Sequence, residues 1–148
     1  MSGLKITCLE CAQINRVPKA RAGAGAKCGT CGAKLFSTKP TEVDFAWVTK
    51  AIRNDDIPLV VDFWAPWCGP CRIMAPEFSK SAASLGDTAR LVKLNTEDHP
   101  QASGKFNIRG IPMLAMFRGG RELARQAGAV QMPAIVSWVN GAKSKQVP

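Results

Sequence analysis

The six cysteines of this 148-residue chain all occur in pairs, with two residues between the partners. The pairs are Cys8 and Cys11, Cys28 and Cys31, and Cys68 and Cys71. Thiolates at this spacing can bind a metal ion, and a dithiol at this spacing can exchange with a disulfide. Because zinc knuckles and redox pairs share the pattern, the residues around each pair must decide which chemistry it performs.

The third pair lies between an apolar segment and a segment of helical character. Residues 58–65 are almost all apolar and predict a buried strand, whereas residues 72–85 predict a helix. Cys68 would then lie near the helix N-terminus, where the helix dipole favours the thiolate that attacks disulfides. Cys71, one turn further along, could attack a mixed disulfide formed at Cys68. We therefore predict a redox pair with Cys68 as nucleophile and Cys71 as resolving thiol.

The first two pairs are separated by sixteen residues, which is typical of four-cysteine zinc sites. Gly29 and Gly32 permit the tight backbone of a zinc knuckle. Some thirty residues with few large apolar side chains cannot build a core alone, so bound metal would supply folding free energy. Two structural disulfides are one alternative, and a zinc site shared between the second and third pairs is another. The spacing favours one tetrahedral Zn²⁺ bound by Cys8, Cys11, Cys28 and Cys31.

The segment Asp62–Cys71, DFWAPWCGPC, resembles the active-site segment of thioredoxins almost residue for residue. Lys93–Asn95, Ile108–Pro112 and Gly128–Ala129 follow in the order found in that family. The resemblance covers about residues 41–141, and the N-terminal cysteines extend it to the bacterial thioredoxin-2 type, which carries a zinc module. It implies a protein-disulfide reductase that works on disulfide-containing proteins and is itself reduced by thioredoxin reductase, an NADPH-dependent flavoprotein.

Asp62 and Lys93 are charged residues for which the sequence suggests a role in catalysis. Asp62 interrupts the apolar strand, and a buried carboxylate without a partner tends to take up a proton. It is therefore a candidate general base for Cys71, although an aspartate on a surface-facing strand position is the alternative. The resemblance assigns the same role to Asp62 and makes Lys93 its partner, but an exposed strand lysine would look the same in the sequence.

The resemblance also implies a substrate groove beside a cis peptide bond before Pro112. Its residues would be Trp67, Gly69, Pro70, Gly110, Ile111, Pro112, Gly128 and Ala129. An extended substrate could pair with the exposed backbone of such a groove. Met113 stands where thioredoxins usually have threonine, so substrate preference cannot be carried over from the family.

The remaining segments alternate between strand and helix signals. Helical patterns occupy residues 42–54, 100–106 and 133–139, a strand is predicted at 89–95, and a hairpin turns at 118–121. We predict an α/β protein with the thioredoxin fold, a mixed central sheet with helices on both faces, preceded by a zinc-ribbon-like module. The predicted parts are a zinc module at 1–33, a linker at 34–41 and a thioredoxin domain at 42–148, with a frayed tail at 143–148.

Charge and composition narrow the range of partners. The formal charge is +9, and residues 1–40 contribute seven basic and one acidic side chain, or +6. The basic segment 15–27 lacks aromatic residues, so a solvated loop is favoured over a nucleic-acid site, although phosphate contacts alone would not require them. The chain shows no signal peptide and no apolar run of membrane length. We expect a cytoplasmic monomer without nucleic-acid or membrane partners.

Two other functions remain open from the sequence alone. The N-terminal module could recruit a nucleic acid or protein, with the thioredoxin-like part as a passenger. The zinc thiolates could also be oxidised under stress, which would make the module a redox sensor.

Overall fold

Two β-sheets organise the chain in the computed structural model, which describes residues 3–21 and 25–143. The small sheet pairs β1 (Leu4–Thr7) with β2 (Ile14–Val17) in antiparallel fashion, and a 3₁₀ turn follows at Lys19–Arg21. The large sheet contains β3 (Thr41–Glu42), β4 (Leu59–Trp64), β5 (Arg90–Asn95), β6 (Met113–Arg118) and β7 (Arg121–Ala127). Its helices are α1 (Phe45–Asn54), α2 (Gly69–Leu85), α3 (Gln101–Lys105) and α4 (Met132–Ala142). The predicted tail lies outside the described residues beyond Lys143.

The large sheet is mixed, with the strand order β3-β5-β4-β6-β7. β5 runs parallel to both of its neighbours, whereas β6 is antiparallel to β4 and β7. This topology confirms the predicted thioredoxin fold with a small module in front of it. Among the described residues, none of the helices combines the length and apolar character of a membrane span.

The central strand β4 contributes side chains to two hydrophobic cores, one on each face of the sheet. Val61 is fully buried in a cluster with Val48 of α1. Val60, which points the opposite way, is buried with Phe78 of α2 and Ile135 of α4. Each such side chain contributes roughly 1.5–3 kcal/mol by leaving water. Asp62, two residues after Val60, lies on the same face of the sheet, which is the face covered by α2.

The N-terminal part of the domain differs from the prediction of a helix over 42–54. Asp44 accepts a hydrogen bond from the Trp47 backbone N–H at 2.7 Å and caps α1, so the helix begins at Phe45. Thr41 and Glu42 instead pair with β5 as the short strand β3. A two-residue strand has no periodicity that a sequence pattern could reveal.

The N-terminal module (described residues 3–21 and 25–36) is joined to the large sheet through a buried ion pair. Arg90 Nη1 lies 2.7 Å from Asp55 Oδ2, and both side chains are almost fully buried. Asp55 Oδ1 also accepts hydrogen bonds from the backbone N–H and hydroxyl of Thr7, at 2.8 and 2.7 Å. Arg90 Nη2 donates to the Thr7 carbonyl at 2.7 Å. The pair therefore connects the module with the end of α1 and the start of β5.

Further contacts fix the same junction. The Trp47 indole N–H donates to the Cys8 carbonyl at 2.8 Å, and Ile57 is buried in the apolar cluster of the module. Leu35, which belongs to the segment predicted as a linker, is fully buried in that cluster as well. The division at 33 and 41 stays a prediction, but the module is packed against the domain at the described residues of this junction.

Candidate functional site

Cys68 and Cys71 form a disulfide at the N-terminus of α2. Cys68 has extended backbone angles and occupies the N-cap position, and its sulfur accepts the Cys71 backbone N–H at 3.2 Å. Pro70 lies in the first turn, where its missing N–H would have had no helical partner. In the reduced protein, the sulfur of Cys68 would thus occupy the positive end of the helix dipole.

The surroundings of the disulfide are apolar and closely packed. Cys68 and Cys71 are 5% and 2% exposed and form a cluster with Ala65, against which Trp64 and Ile111 pack. The Ile111–Pro112 peptide bond is cis, as the resemblance implies, and the Ile111 carbonyl oxygen lies 3.8 Å from Cys68 Sγ. Of the two cysteines, Cys68 is the one that lines the neighbouring groove, so a substrate in the groove would meet the disulfide on that side.

A shallow groove of about 500 Å³ opens beside the disulfide. Five of the predicted groove residues line it: Trp67, Gly69, Pro70, Gly110 and Ile111. Trp67 is 66% exposed, which is unusual for so large an apolar side chain and is typical of a binding surface. Of the other predicted residues, Pro112, Gly128 and Ala129 are not part of the lining. Gly128 donates its N–H to the Pro112 carbonyl at 3.0 Å and so lies next to the cis bond.

Four further residues line the groove without having been predicted as part of it: Thr96, Ser103, Ile108 and Arg109. Ile108 and Arg109 belong to the segment that resembles thioredoxins, so the resemblance contained a signal for them. Thr96 follows the end of β5, and Ser103 lies in the short helix α3. Neither position has a sequence pattern that marks it as part of a site.

Asp62 is fully buried on the α2 face of β4. Neither of its carboxylate oxygens has a hydrogen-bond partner in the described part of the chain. Burial raises the pKa of Asp62 to about 7, because the positive charge of Lys93 offsets only part of the desolvation and Glu42 adds to the rise. The side chain can therefore gain and lose a proton near neutral pH.

Lys93 lies opposite Asp62 in the pairing of β4 with β5. Its ammonium is 4.4 Å from the ring centroid of Trp64, a distance at which cation and aromatic face attract. The residue is neither fully buried nor fully exposed. It is thus a strand lysine held near the redox pair by Trp64 and near Asp62 by the strand register.

The other four cysteines come together at the tips of two turns in the N-terminal module. All four sulfurs lie within 4.8 Å of one another, and the distances from Cys8 to Cys31 and from Cys11 to Cys28 are both 3.6 Å. Sulfurs bound tetrahedrally to zinc at about 2.3 Å would be about 3.8 Å apart. The donor set and its spacing therefore fit a tetrathiolate metal site.

Backbone donors surround this cluster. The N–H groups of Glu10 and Cys11 donate to Cys8 Sγ at 3.3 and 3.5 Å, and the Thr30 N–H donates to Cys28 Sγ at 3.4 Å. Such bonds stabilise sulfur in its anionic form, which is the form that binds a metal. The third pair is a disulfide in the separate cluster around Ala65, so the alternative of a zinc site shared with it has no support from the geometry.

Family models match both parts of the chain. The model described as thioredoxin matches residues 40–141, and the model described as thioredoxin 2, N-terminal, a zinc ribbon, matches residues 7–33. A solved structure of chloroplastic thioredoxin z is 26% identical with a TM-score of 0.66, over 72% of this chain and 96% of that one. That structure thus shares the fold of the larger part.

Curated relatives show the same likeness at the level of sequence. Thioredoxin C-3 of Corynebacterium nephridii is 35% identical over 135 residues, which cover 91% of this chain and 92% of the relative. The thioredoxin of Rhodospirillum rubrum is 41% identical over 98 residues, which cover 66% of this chain and 94% of the relative. With the disulfide at the head of α2, these matches show that the chain belongs to the thioredoxin family of thiol–disulfide oxidoreductases.

Proposed function

We propose that this chain is a protein-disulfide reductase of the thioredoxin-2 type, with a structural zinc ion in its N-terminal module. The observation that carries the proposal is the redox pair itself, a disulfide at the N-terminus of α2 that opens on a groove with an exposed tryptophan. The N-terminus of α2 can stabilise the Cys68 thiolate, and the apolar walls of the groove can hold a substrate beside it.

The reaction is two successive exchanges. The Cys68 thiolate attacks one sulfur of the target disulfide, so that a mixed disulfide forms and the other target sulfur leaves as a thiolate. The Cys71 thiolate then attacks Cys68 Sγ, which releases the second target thiolate and forms the Cys68–Cys71 disulfide. Two electrons pass from the dithiol to the target, and protons from the dithiol end on the target thiols.

Asp62 supplies the proton acceptor for the second exchange in this proposal. Cys71 is 2% exposed, so bulk water has poor access to its thiol. A carboxylate with a pKa of about 7 on the face covered by α2 can take that proton through a water molecule. Lys93 limits the rise of the pKa of Asp62 and so keeps a useful fraction ionised at neutral pH.

The groove would bind an extended segment of the target. Trp67 and Ile111 offer apolar contacts, and the backbone before the cis bond at Pro112 offers hydrogen-bonding groups to a strand. Gly128 and Ala129 would contact the target beyond the lining of the groove. Met113 is half-buried beside this wall, where its flexible thioether could adapt to different targets.

Zinc would be bound by Cys8, Cys11, Cys28 and Cys31 and would have a structural role. A bound Zn²⁺ supplies folding free energy, and four thiolates leave it no open position for water or substrate. Cys11 and Cys31 are exposed, so an oxidant could reach these two ligands. The module would then respond to oxidants without taking part in the exchange reaction.

Reducing equivalents would come from an NADPH-dependent thioredoxin reductase, as the family membership suggests. We place the protein in the cytoplasm, where thiols are kept reduced, and expect a monomer. A nucleic-acid partner is not part of the proposal, because the basic segment 15–27 contains no aromatic residue on which a base could stack.

The roles of the two cysteines are tested by trapping. Cys71→Ser should accumulate a mixed disulfide with a protein substrate, because attack by Cys68 survives and resolution does not. Cys68→Ser should neither turn over nor trap, since Cys71 is the buried partner. Mass spectrometry of the trapped species, with both variants reduced beforehand, identifies the sulfur that carries the substrate. Normal turnover by Cys71→Ser, or a substrate bound through Cys71, would contradict the assignment.

A further inference from the structure

Glu42, Lys93 and Asp62 lie in one row across three neighbouring strands. Glu42 of β3 is paired with Lys93 of β5, and Lys93 is paired in turn with Asp62 of β4. Side chains in one such row project from the same face of a sheet. Lys93 therefore stands between two acidic residues in this row, at the end of the sheet that carries the redox pair, and its charge acts on both of them.

Trp64 contacts both Glu42 and the surroundings of the redox pair. Its indole N–H donates to Glu42 Oε2 at 3.0 Å, and its ring lies under the Lys93 ammonium at 4.4 Å. The same side chain packs against the cluster formed by Ala65, Cys68 and Cys71. One tryptophan thus contacts Glu42, Lys93 and the surroundings of the disulfide.

The charged residues that act most strongly on Asp62 belong to the same row. Asp62 is influenced by Lys93 of β5 and by Glu42 of β3, which act in opposite directions. Its partner on β6 is Leu114, which is neutral, and Cys71 of α2 does not titrate while it is disulfide-bonded. Partial burial raises the pKa of Glu42, while Trp64, Lys93 and Asn95 lower it and Asp98 raises it.

We infer that Glu42 is a positioning residue for Asp62, because it shares the Lys93 ammonium with that carboxylate and orients Trp64 beside the redox pair. Its negative charge opposes ionisation of Asp62 and offsets part of the attraction that Lys93 exerts. The hydrogen bond to the indole keeps the Trp64 ring under the ammonium. Glu42 therefore tunes the pH at which Asp62 exchanges its proton, and this inference rests on the proposed role of Asp62.

A variant can separate the charge of Glu42 from its hydrogen bond. Glu42→Gln removes the charge but keeps an oxygen that can accept from Trp64. Two strand spacings, about 10 Å, separate Glu42 from Asp62, and at an effective dielectric constant of about 40 a unit charge at that distance shifts a pKa by about half a unit. Glu97→Gln is the matched control, since Glu97 is an exposed glutamate in the loop just after β5.

The midpoint of Asp62 titration is read from its carboxyl carbon by NMR in ¹³C-labelled, oxidised, zinc-loaded protein, with Asp62→Asn to assign the signal. We expect Glu42→Gln to lower the midpoint by about half a pH unit and Glu97→Gln to leave it unchanged. An unchanged or higher midpoint in Glu42→Gln, or an equal decrease in both variants, would overturn the inference.

The pH profile of disulfide reduction by the same variants tests the proposed role of Asp62 separately. If Asp62 accepts the proton of Cys71, the profile of Glu42→Gln should move to lower pH together with the titration midpoint. A midpoint that moves while the profile stays fixed would support the influence of Glu42 on Asp62 and would contradict the proposed role of Asp62 in the reaction.

Discussion

Replacing Asp62 with asparagine should stabilise the protein in a pH-dependent way. The folded-state pKa of Asp62 is about 7 against an ordinary value of 3.8, because burial disfavours the charged form. The folded state therefore binds more protons than the unfolded state between these values, and stability falls as pH rises through the window. The stabilising contribution is complete below about pH 4 and is lost by about pH 7.

The magnitude follows from the size of the shift. About three pKa units at 1.36 kcal/mol each amount to about 4 kcal/mol, of which about 2.5 kcal/mol falls between pH 5 and pH 8. Asparagine cannot ionise, and its buried amide lacks partners much as the protonated carboxyl does. The stability difference between Asp62→Asn and the parent protein should hence grow by about 2.5 kcal/mol between these pH values.

Urea unfolding of the oxidised, zinc-loaded protein at several pH values measures this difference. Effects of pH on the zinc site occur in both proteins and cancel in the comparison. Asp87→Asn is a suitable control, since it removes an exposed carboxylate that follows α2. A stability difference that does not change with pH, or an Asp62→Asn protein that is less stable at pH 8 and reduces disulfides at the parent rate, would refute the reasoning.

Two further predictions concern the N-terminal module. Asp55→Ala should lower the free energy of unfolding by about 3–5 kcal/mol, because it leaves the Arg90 guanidinium buried without its partner. Urea unfolding measures this loss, and a variant within about 1 kcal/mol of the parent would contradict the importance of the pair. Removal of zinc by a chelator should unfold the module but change only the rate or target choice of disulfide reduction. Metal analysis together with an activity assay on reduced protein tests this, and a complete loss of activity that zinc restores would contradict it.

The sequence predicted the elements whose pattern repeats or matches a motif. The apolar run of β4, the position of Cys68 at the head of α2 and the hairpin of β6 and β7 all occur as expected, within a few residues. These features depend on local propensity and on residues close together in the chain. The clustering of four cysteines was also predictable, because two Cys-x-x-Cys pairs at this spacing have few other uses.

Features that depend on distant residues could not be predicted in the same way. The Asp55–Arg90 pair joins positions 35 residues apart, and its contact with Thr7 depends on how the module packs on the sheet. The strand β3 is too short to have a pattern, yet it brings Glu42 into the row with Lys93. Thr96 and Ser103 become part of the groove only because the end of β5 and the helix α3 lie beside it.

The buried junction between module and sheet also has a consequence for synthesis on the ribosome. Cys31, the last of the four clustered cysteines, is made 59 residues before Arg90, whose guanidinium donates a hydrogen bond to the Thr7 carbonyl. At about 5–20 residues per second, roughly 3–12 s separate the two residues during translation. During that time the proposed zinc site could be filled while the surface against which the module packs is still unfinished. If the site binds zinc as proposed, a nascent chain that lacks the metal would expose reactive thiols and apolar side chains such as Leu35 until Arg90 has been made.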